Sequence, residues 1–169
     1  MNGFYGECLR LEIFGQSHAE SVGMTLEGVP AGARVDLDAL LRFMQRRAPG
    51  RSEYATARRE ADVPEFTSGL RDGVTDGMPI TAVIRNTDVR PQDYDALRTV
   101  PRPGHAGYSA WLRYGSIPTG GGEFSGRMTA PLCIAGGICL QLLENEGVSI
   151  RARVNEIGGA HDEKAMHDK

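Results

Sequence analysis

Cysteine is scarce. Cys8, Cys133 and Cys139 are the whole complement, an odd number with no C-x-x-C spacing. That excludes a disulfide-stapled scaffold and a zinc framework, and it reads as reduced, buried, cytosolic thiols with no metal site. Excess positive charge is also lacking. Nineteen Lys+Arg against 22 Asp+Glu leave a net charge of −3, so no global basic field recruits nucleic acid or an anionic membrane. Aromatics make up only 7% of residues, too few for the stacking platform of a single-strand binder. No uninterrupted apolar run reaches bilayer length. The start, MNGFYGECLRLEIFGQSH, has no basic segment leading into an apolar core, so the expected location is the cytoplasm.

What the chain has in quantity is glycine, 22 residues of 169, in a length sufficient for one domain with a real core. CLRLEIFG (8–15) and SVGMTLEGVPAG (21–32) alternate apolar and polar residues and are expected to pair as antiparallel strands. DLDALLRFMQRR (36–47) predicts an amphipathic helix capped by Asp36. Further strands are expected within EFTSGL and PITAVIRN. The stretch from Thr87 to Gly122 lacks periodicity and reads as a long functional loop. APLCIAGGICLQLLENEG (130–147) is apolar almost all round, which predicts a buried helix with Pro131 at its first position and Gly147 at its cap. VSIRARVNEIGG (148–159) reads as a closing strand, followed by an unanchored polar tail at 159–169. Strands followed by helices give an α+β class.

Three groups of residues carry chemistry. TGGGEFSGRMTAP (119–131) has phosphate-loop spacing, but Arg127 and Met128 stand where a nucleotide triphosphatase needs Lys and Ser/Thr. The loop still favours an anion, through its backbone N–H groups, Ser125, Arg127 and the helix start that follows. A glycine turn that merely lets a helix pack closely explains it equally well. His18 and His105 lie in tight glycine-flanked turns and suit proton transfer near neutral pH. His161 and His167 fall in the tail and read as solvated. Arg46, Arg47, Arg51, Arg58, Arg59 and Arg102 can converge on a small polyanion, with Glu60, Asp62, Asp88 and Asp93 orienting them.

FGQSHAESVGMTLEGVPAG, QRRAPG, ARREAD, SGLRDGVTDGMPI, IRNTDVRPQDY, RPGHA and GGGEFSGRMTAPLCIAGGI follow one another in an order and spacing that resembles chorismate synthase. The resemblance runs over residues 5 to 158 and matches the N-terminal half of a family chain. It implies one half of an internally repeated β-α-β sandwich, normally a homotetramer. The implied reaction is a lyase step closing the shikimate pathway of aromatic amino acid biosynthesis. In it, 5-enolpyruvylshikimate 3-phosphate loses phosphate and a C6 proton in an anti-1,4-elimination that needs reduced FMN, with NADPH as flavin reductant in some members.

By the same resemblance, His18 protonates the departing phosphate and His105 sets the protonation of the reduced flavin. Ser17, Arg47, Arg102, Ser125 and Arg127 match positions that hold substrate. Glu123, Phe124 and Ser125 match an FMN-contacting segment, and Arg47 an NADPH-associated position. The chain departs from the family pattern at Gln16, Ala19, Gly107 and Glu123. An inactive remnant that binds a phosphorylated ligand or a partner is the alternative reading. Half a fold would also leave the apolar helix poorly covered, so self-association is expected.

Overall fold

The computed structural model describes residues 3–48, 60–87, 100–117 and 119–161. Five strands form one antiparallel sheet: β1 (Gly3–Tyr5), β2 (Arg10–Gly15), β3 (Ser21–Glu27), β4 (Glu65–Ser68) and β7 (Ile80–Arg85), in the order β1-β2-β3-β7-β4. A two-stranded ribbon, β5 (Leu70–Arg71) and β6 (Val74–Thr75), precedes β7. Helices α1 (Leu37–Arg47) and α3 (Thr129–Asn145) form a second layer, and α2 (Gly107–Tyr114) leads into two short 3-10 turns at Thr119–Phe124 and Gly126–Met128.

The two central strands explain the register. Val22, Met24 and Leu26 of β3 face one way, as do Ile80, Ala82 and Ile84 of β7, and pairing sets Val22 opposite Ile84, Met24 opposite Ala82 and Leu26 opposite Ile80. A slip of one residue would turn this whole apolar set to the other face, so burial specifies the alignment. Ile134, Ala135 and Ile138 of α3, with Leu40 and Met44 of α1, close the core over that face. On the opposite face Thr25 and Thr81 meet hydroxyl to hydroxyl at 3.2 Å.

Helix α1 starts as expected, the Asp36 carboxylate accepting from Ala39 N–H at 2.9 Å. Asp36 also fixes α1 to α3. Its N–H donates to Gln141 Oε1 at 2.7 Å and its carbonyl accepts from Gln141 Nε2 at 3.0 Å. The helices approach closely at Gly137. A Cβ there would come within 2.5 Å of Leu40 Cδ1 and 3.1 Å of Phe43 Cδ1, so a side chain would force Phe43 and buried Leu40 to repack or the helices to part.

Four expectations need correction. The unpatterned stretch before Gly122 contains α2, an eight-residue helix ended by Gly115 at φ 71°. Helix α3 starts two residues earlier than predicted, at Thr129, which leaves Pro131 in its first turn, where a missing N–H costs nothing. It runs to Asn145, and Gly147 (φ 73°) lies beyond the cap residue Glu146. The segment 148–156 forms no strand despite its alternation, since a strand exists only where it pairs with another, and an isolated bridge joins Ile157 to Ala160. Cys8 is exposed and Cys133 and Cys139 are partly buried, so the thiols are free but not all internal.

Gly126–Asn145 has the length and apolarity of a membrane span. One side of it forms the core just described, which accounts for that composition. Its other side leaves Leu132 39% exposed, and elsewhere Trp111, Leu112, Ile150 and Val154 are also exposed. The fold is α+β, with a sheet layer and a helix layer.

Candidate active site

The five-residue connection from β2 to β3 carries Ser17 and His18. Ala19 N–H closes it onto the Gln16 carbonyl at 3.1 Å. Ser17 is 1% exposed, and its N–H lies 3.4 Å from the Gly122 carbonyl, so this turn abuts the glycine loop. His18 is half-buried beside it.

Arg102 and His105 share a second turn, His105 N–H donating to the Arg102 carbonyl at 3.2 Å. His105 Nδ1 accepts from Gly107 N–H at 3.1 Å. An acceptor Nδ1 places the proton of the neutral ring on Nε2. That nitrogen faces the glycine loop, since a Cβ built on Gly121 would lie 2.8 Å from His105 Nε2 and 3.5 Å from Arg102 Nη2. Gly121 has φ +91°, which a side chain would strain as well. The two histidine turns therefore meet at the same short loop, one at Gly121 and the other at Gly122. Arg102 and His105, with Tyr108, Ser109 and Trp111, line an open concavity of about 600 Å³ beside it.

Behind the loop lies a charge cluster. Arg127 is only 3% exposed at its side chain, Asp62 0% and Glu60 1%. Arg127 Nη1 bonds Asp62 Oδ1, and Asp62 Oδ2 takes Arg47 Nη1. Arg127 Nη2 lies 3.1 Å from Glu60 Oε2, an ion pair out of line for a hydrogen bond. Glu60 Oε1 accepts from Thr87 N–H at 2.9 Å. Arg47 Nε also donates to Thr129 Oγ1 at 3.0 Å, which ties the end of α1 to the start of α3. Two arginines and two acids balance, so their burial is tolerated as a neutral unit. Ser125 caps the second 3-10 turn, its hydroxyl accepting from Arg127 N–H at 3.2 Å.

Of the site residues drawn from the sequence, Ser17, His18, Arg102, His105 and the 121–125 loop come together. Arg47 and Arg127 stand behind that loop, held by Asp62 and Glu60. Glu123 is half-buried and Phe124 is 39% exposed. Arg46 lies over the Phe43 ring at 5.6 Å. Arg51, Arg58, Arg59, Asp88, Asp93 and His167 lie outside the described residues. Among the described residues no cluster of His, Cys, Asp or Glu is arranged to hold a metal ion. Sequence reading missed Asn86, which contacts both Arg127 and the His18 turn. Its one sequence signal is an amide residue directly after a strand.

A family model for chorismate synthase matches residues 9–169. The chain belongs to the chorismate synthase family. The chorismate synthase of Lancefieldella parvula is 49% identical over 165 residues, covering 96% of this chain and 43% of that protein. That of Aeropyrum pernix is 48% identical over 156 residues, covering 91% and 41%. A crystal structure of chorismate synthase matches at a TM-score of 0.57 and 25% identity, over 85% of this chain and 36% of that one. The chain thus spans less than half the length of the relatives it matches. Its α+β fold corresponds to one part of the chorismate synthase architecture.

Proposed function

We propose that the chain performs the chorismate synthase reaction, a carbon–oxygen lyase step: 5-enolpyruvylshikimate 3-phosphate loses phosphate and its C6 proton to give chorismate. The observation that carries the reading is the meeting of both histidine turns at Gly121 and Gly122. A phosphate seated against that loop would face backbone N–H groups and the start of α3. His18 would give a proton to the phosphate as the C–O bond breaks, which stops negative charge accumulating on the leaving group. The Nε2–H of His105 would hold or pass a proton at the opposite edge. Ser17, Arg102 and Ser125 would orient the substrate's anionic groups. Arg127 is too deeply buried for broad contact, and with Arg47 it would act from behind the loop, its charge held in place by Asp62 and Glu60.

The concavity beside His105 suits a flat, anionic cofactor, since Trp111 and Tyr108 supply apolar surface and Arg102 a cation. Reduced FMN, when bound, supplies the electron-rich ring that the family's redox-neutral elimination requires. Glu123, Phe124 and Ser125 would hold it from the loop side, with Glu123 turned away from any phosphate. NADPH as reductant would have to meet Arg47 where Asp62 already engages it. A cytoplasmic homotetramer belongs to the same proposal, and the exposed apolar side chains of α2, α3 and residues 148–157 favour association. Sedimentation of the chain as a clean monomer would count against that part.

The test is anaerobic turnover with photoreduced FMN, following chorismate and phosphate together. Matched release, lost in His18→Ala and His105→Ala, supports the enzyme. Gly107, which stands where the family pattern has an acid, favours the second reading, a chain that binds a phosphorylated ligand or a partner without turnover. Folded protein that binds substrate and releases neither product would establish that reading.

A further inference from the structure

We infer that Asn86 is the positioning residue of the His18 turn, coupling it to the buried charge cluster. The inference rests on the proposed role of His18 only for its catalytic meaning; the coupling itself is geometric. Asn86 directly follows β7, whose last residue, Arg85, pairs with Ser21 at the start of β3. This places its side chain against the tip of the β2–β3 connection. Asn86 Nδ2 donates to the Ala19 carbonyl at 2.7 Å and to the Gln16 carbonyl at 3.1 Å. Those two carbonyls bracket Ser17 and His18. Asn86 N–H donates to the Glu20 carbonyl at 2.9 Å. On its other side, Asn86 Oδ1 accepts from Arg127 Nε at 3.0 Å.

The amide can sit only one way round. Two carbonyls only accept and a guanidinium only donates, so the NH2 must face the turn and the oxygen must face Arg127. No other side chain of this size offers two donors and an acceptor in one plane. Aspartate would keep the Arg127 bond yet set a carboxylate oxygen against two carbonyl oxygens. The next residue reinforces the joint, because Thr87 N–H is held by Glu60, itself a partner of Arg127. The His18 turn, the end of β7 and the Arg127 cluster therefore move as one body. Ser125, bonded to Arg127 N–H, connects that body to the glycine loop.

The experiment uses the intact chain and needs no turnover, so its outcome is separate from that of the proposed activity. Side-chain amide exchange is measured by NMR in the wild type, with exposed Asn155 as the internal control. The Asn86 NH2 is expected to exchange at least about tenfold more slowly, the factor expected for hydrogen bonds of this kind. Histidine ring signals, assigned with His18→Gln, are then compared in Asn86→Asp and Asn86→Ala. Both variants are expected to move the His18 signals and leave those of His161 in place. If turnover is present, kcat should fall about tenfold with little change in KM, as for a misplaced rather than a missing group. Exchange as fast as that of Asn155 overturns the inference, and this arm stands even if neither variant folds. So does an unmoved His18 in folded Asn86→Asp, since the turn would then keep its shape without the two bonds from Asn86 Nδ2.

Discussion

His105 Nε2 occupies the space that a side chain at Gly121 would need, 2.8 Å from where its Cβ would fall. Glycine at this position is a condition of the histidine's placement. Gly121→Ala should displace His105 and Arg102 from the loop and weaken binding of FMN or inorganic phosphate by about tenfold, the effect of misplacing groups that contact a ligand. Gly104→Ala is the control: it has φ +73° but no neighbour within 4 Å. Titration calorimetry on both variants separates the contact from the strain they share. Equal losses would mean that His105 does not depend on the gap.

Asp62 is the shared acid of Arg47 and Arg127, one oxygen to each. Asp62→Ala leaves Arg127 buried with Glu60 alone. The expected cost is about 3–5 kcal/mol, the usual penalty for a buried charge that loses its partner. Urea denaturation checks it. A loss below about 1 kcal/mol would mean that water or a shift of Glu60 replaces the carboxylate.

Adjacent glycines in α3 should respond with opposite sign. Gly137→Ala drives a methyl into Leu40 and Phe43 and should destabilise by about 1–3 kcal/mol. Gly136→Ala meets nothing within 4 Å and should stabilise the helix by up to about 1 kcal/mol. Thermal melts of the two variants, run side by side, decide it.

Burial pushes the thiols of Cys133 and Cys139 above the ordinary value; at Cys133, Arg47 and Arg46 partly oppose this while Asp62 adds to it. A raised folded pKa means that the unfolded chain releases these protons first as pH climbs. Stability is therefore complete below the ordinary thiol value and declines as pH rises from there through the raised folded value. Urea midpoints across that window should fall in the wild type and fall less in the Cys133→Ser, Cys139→Ser double variant. In thiol labelling, exposed Cys8 should react first. Reaction of Cys133 at the rate of Cys8 would contradict the burial.

Much of the fold can be read locally. The β2–β3 hairpin, the Asp36-capped α1 and the apolar α3 each carry their signal within a dozen or so neighbouring residues. Helix α2 does not, because it is short and starts on Gly107, a poor helix former that follows a Pro- and Gly-rich run. The segment 148–156 shows the reverse failure. Alternation of Val148, Ile150 and Val154 marks a strand, yet pairing needs a partner edge that local pattern does not supply. At the site, both histidines stood out by their turns. The burial of Arg127 did not, since arginine gives the same letter in a solvated face and in a neutralised cluster. Asn86 was hidden for a similar reason: its three side-chain partners belong to segments remote in the chain.

The pairing of Ser21 with Arg85 has a consequence for how the molecule is made. On the ribosome the hairpin bearing Ser17 and His18 emerges early, whereas β7, Asn86 and the glycine loop follow much later. Until then Val22, Met24 and Leu26 have neither β7 beside them nor α3 over them, and α1 alone leaves that face incompletely covered. Closing so long a loop is slow compared with forming a hairpin or a helix. During synthesis the nascent chain thus passes through an interval with a sticky, one-sided sheet, when a chaperone would matter most. The turn that carries His18 receives its final shape only when that interval ends.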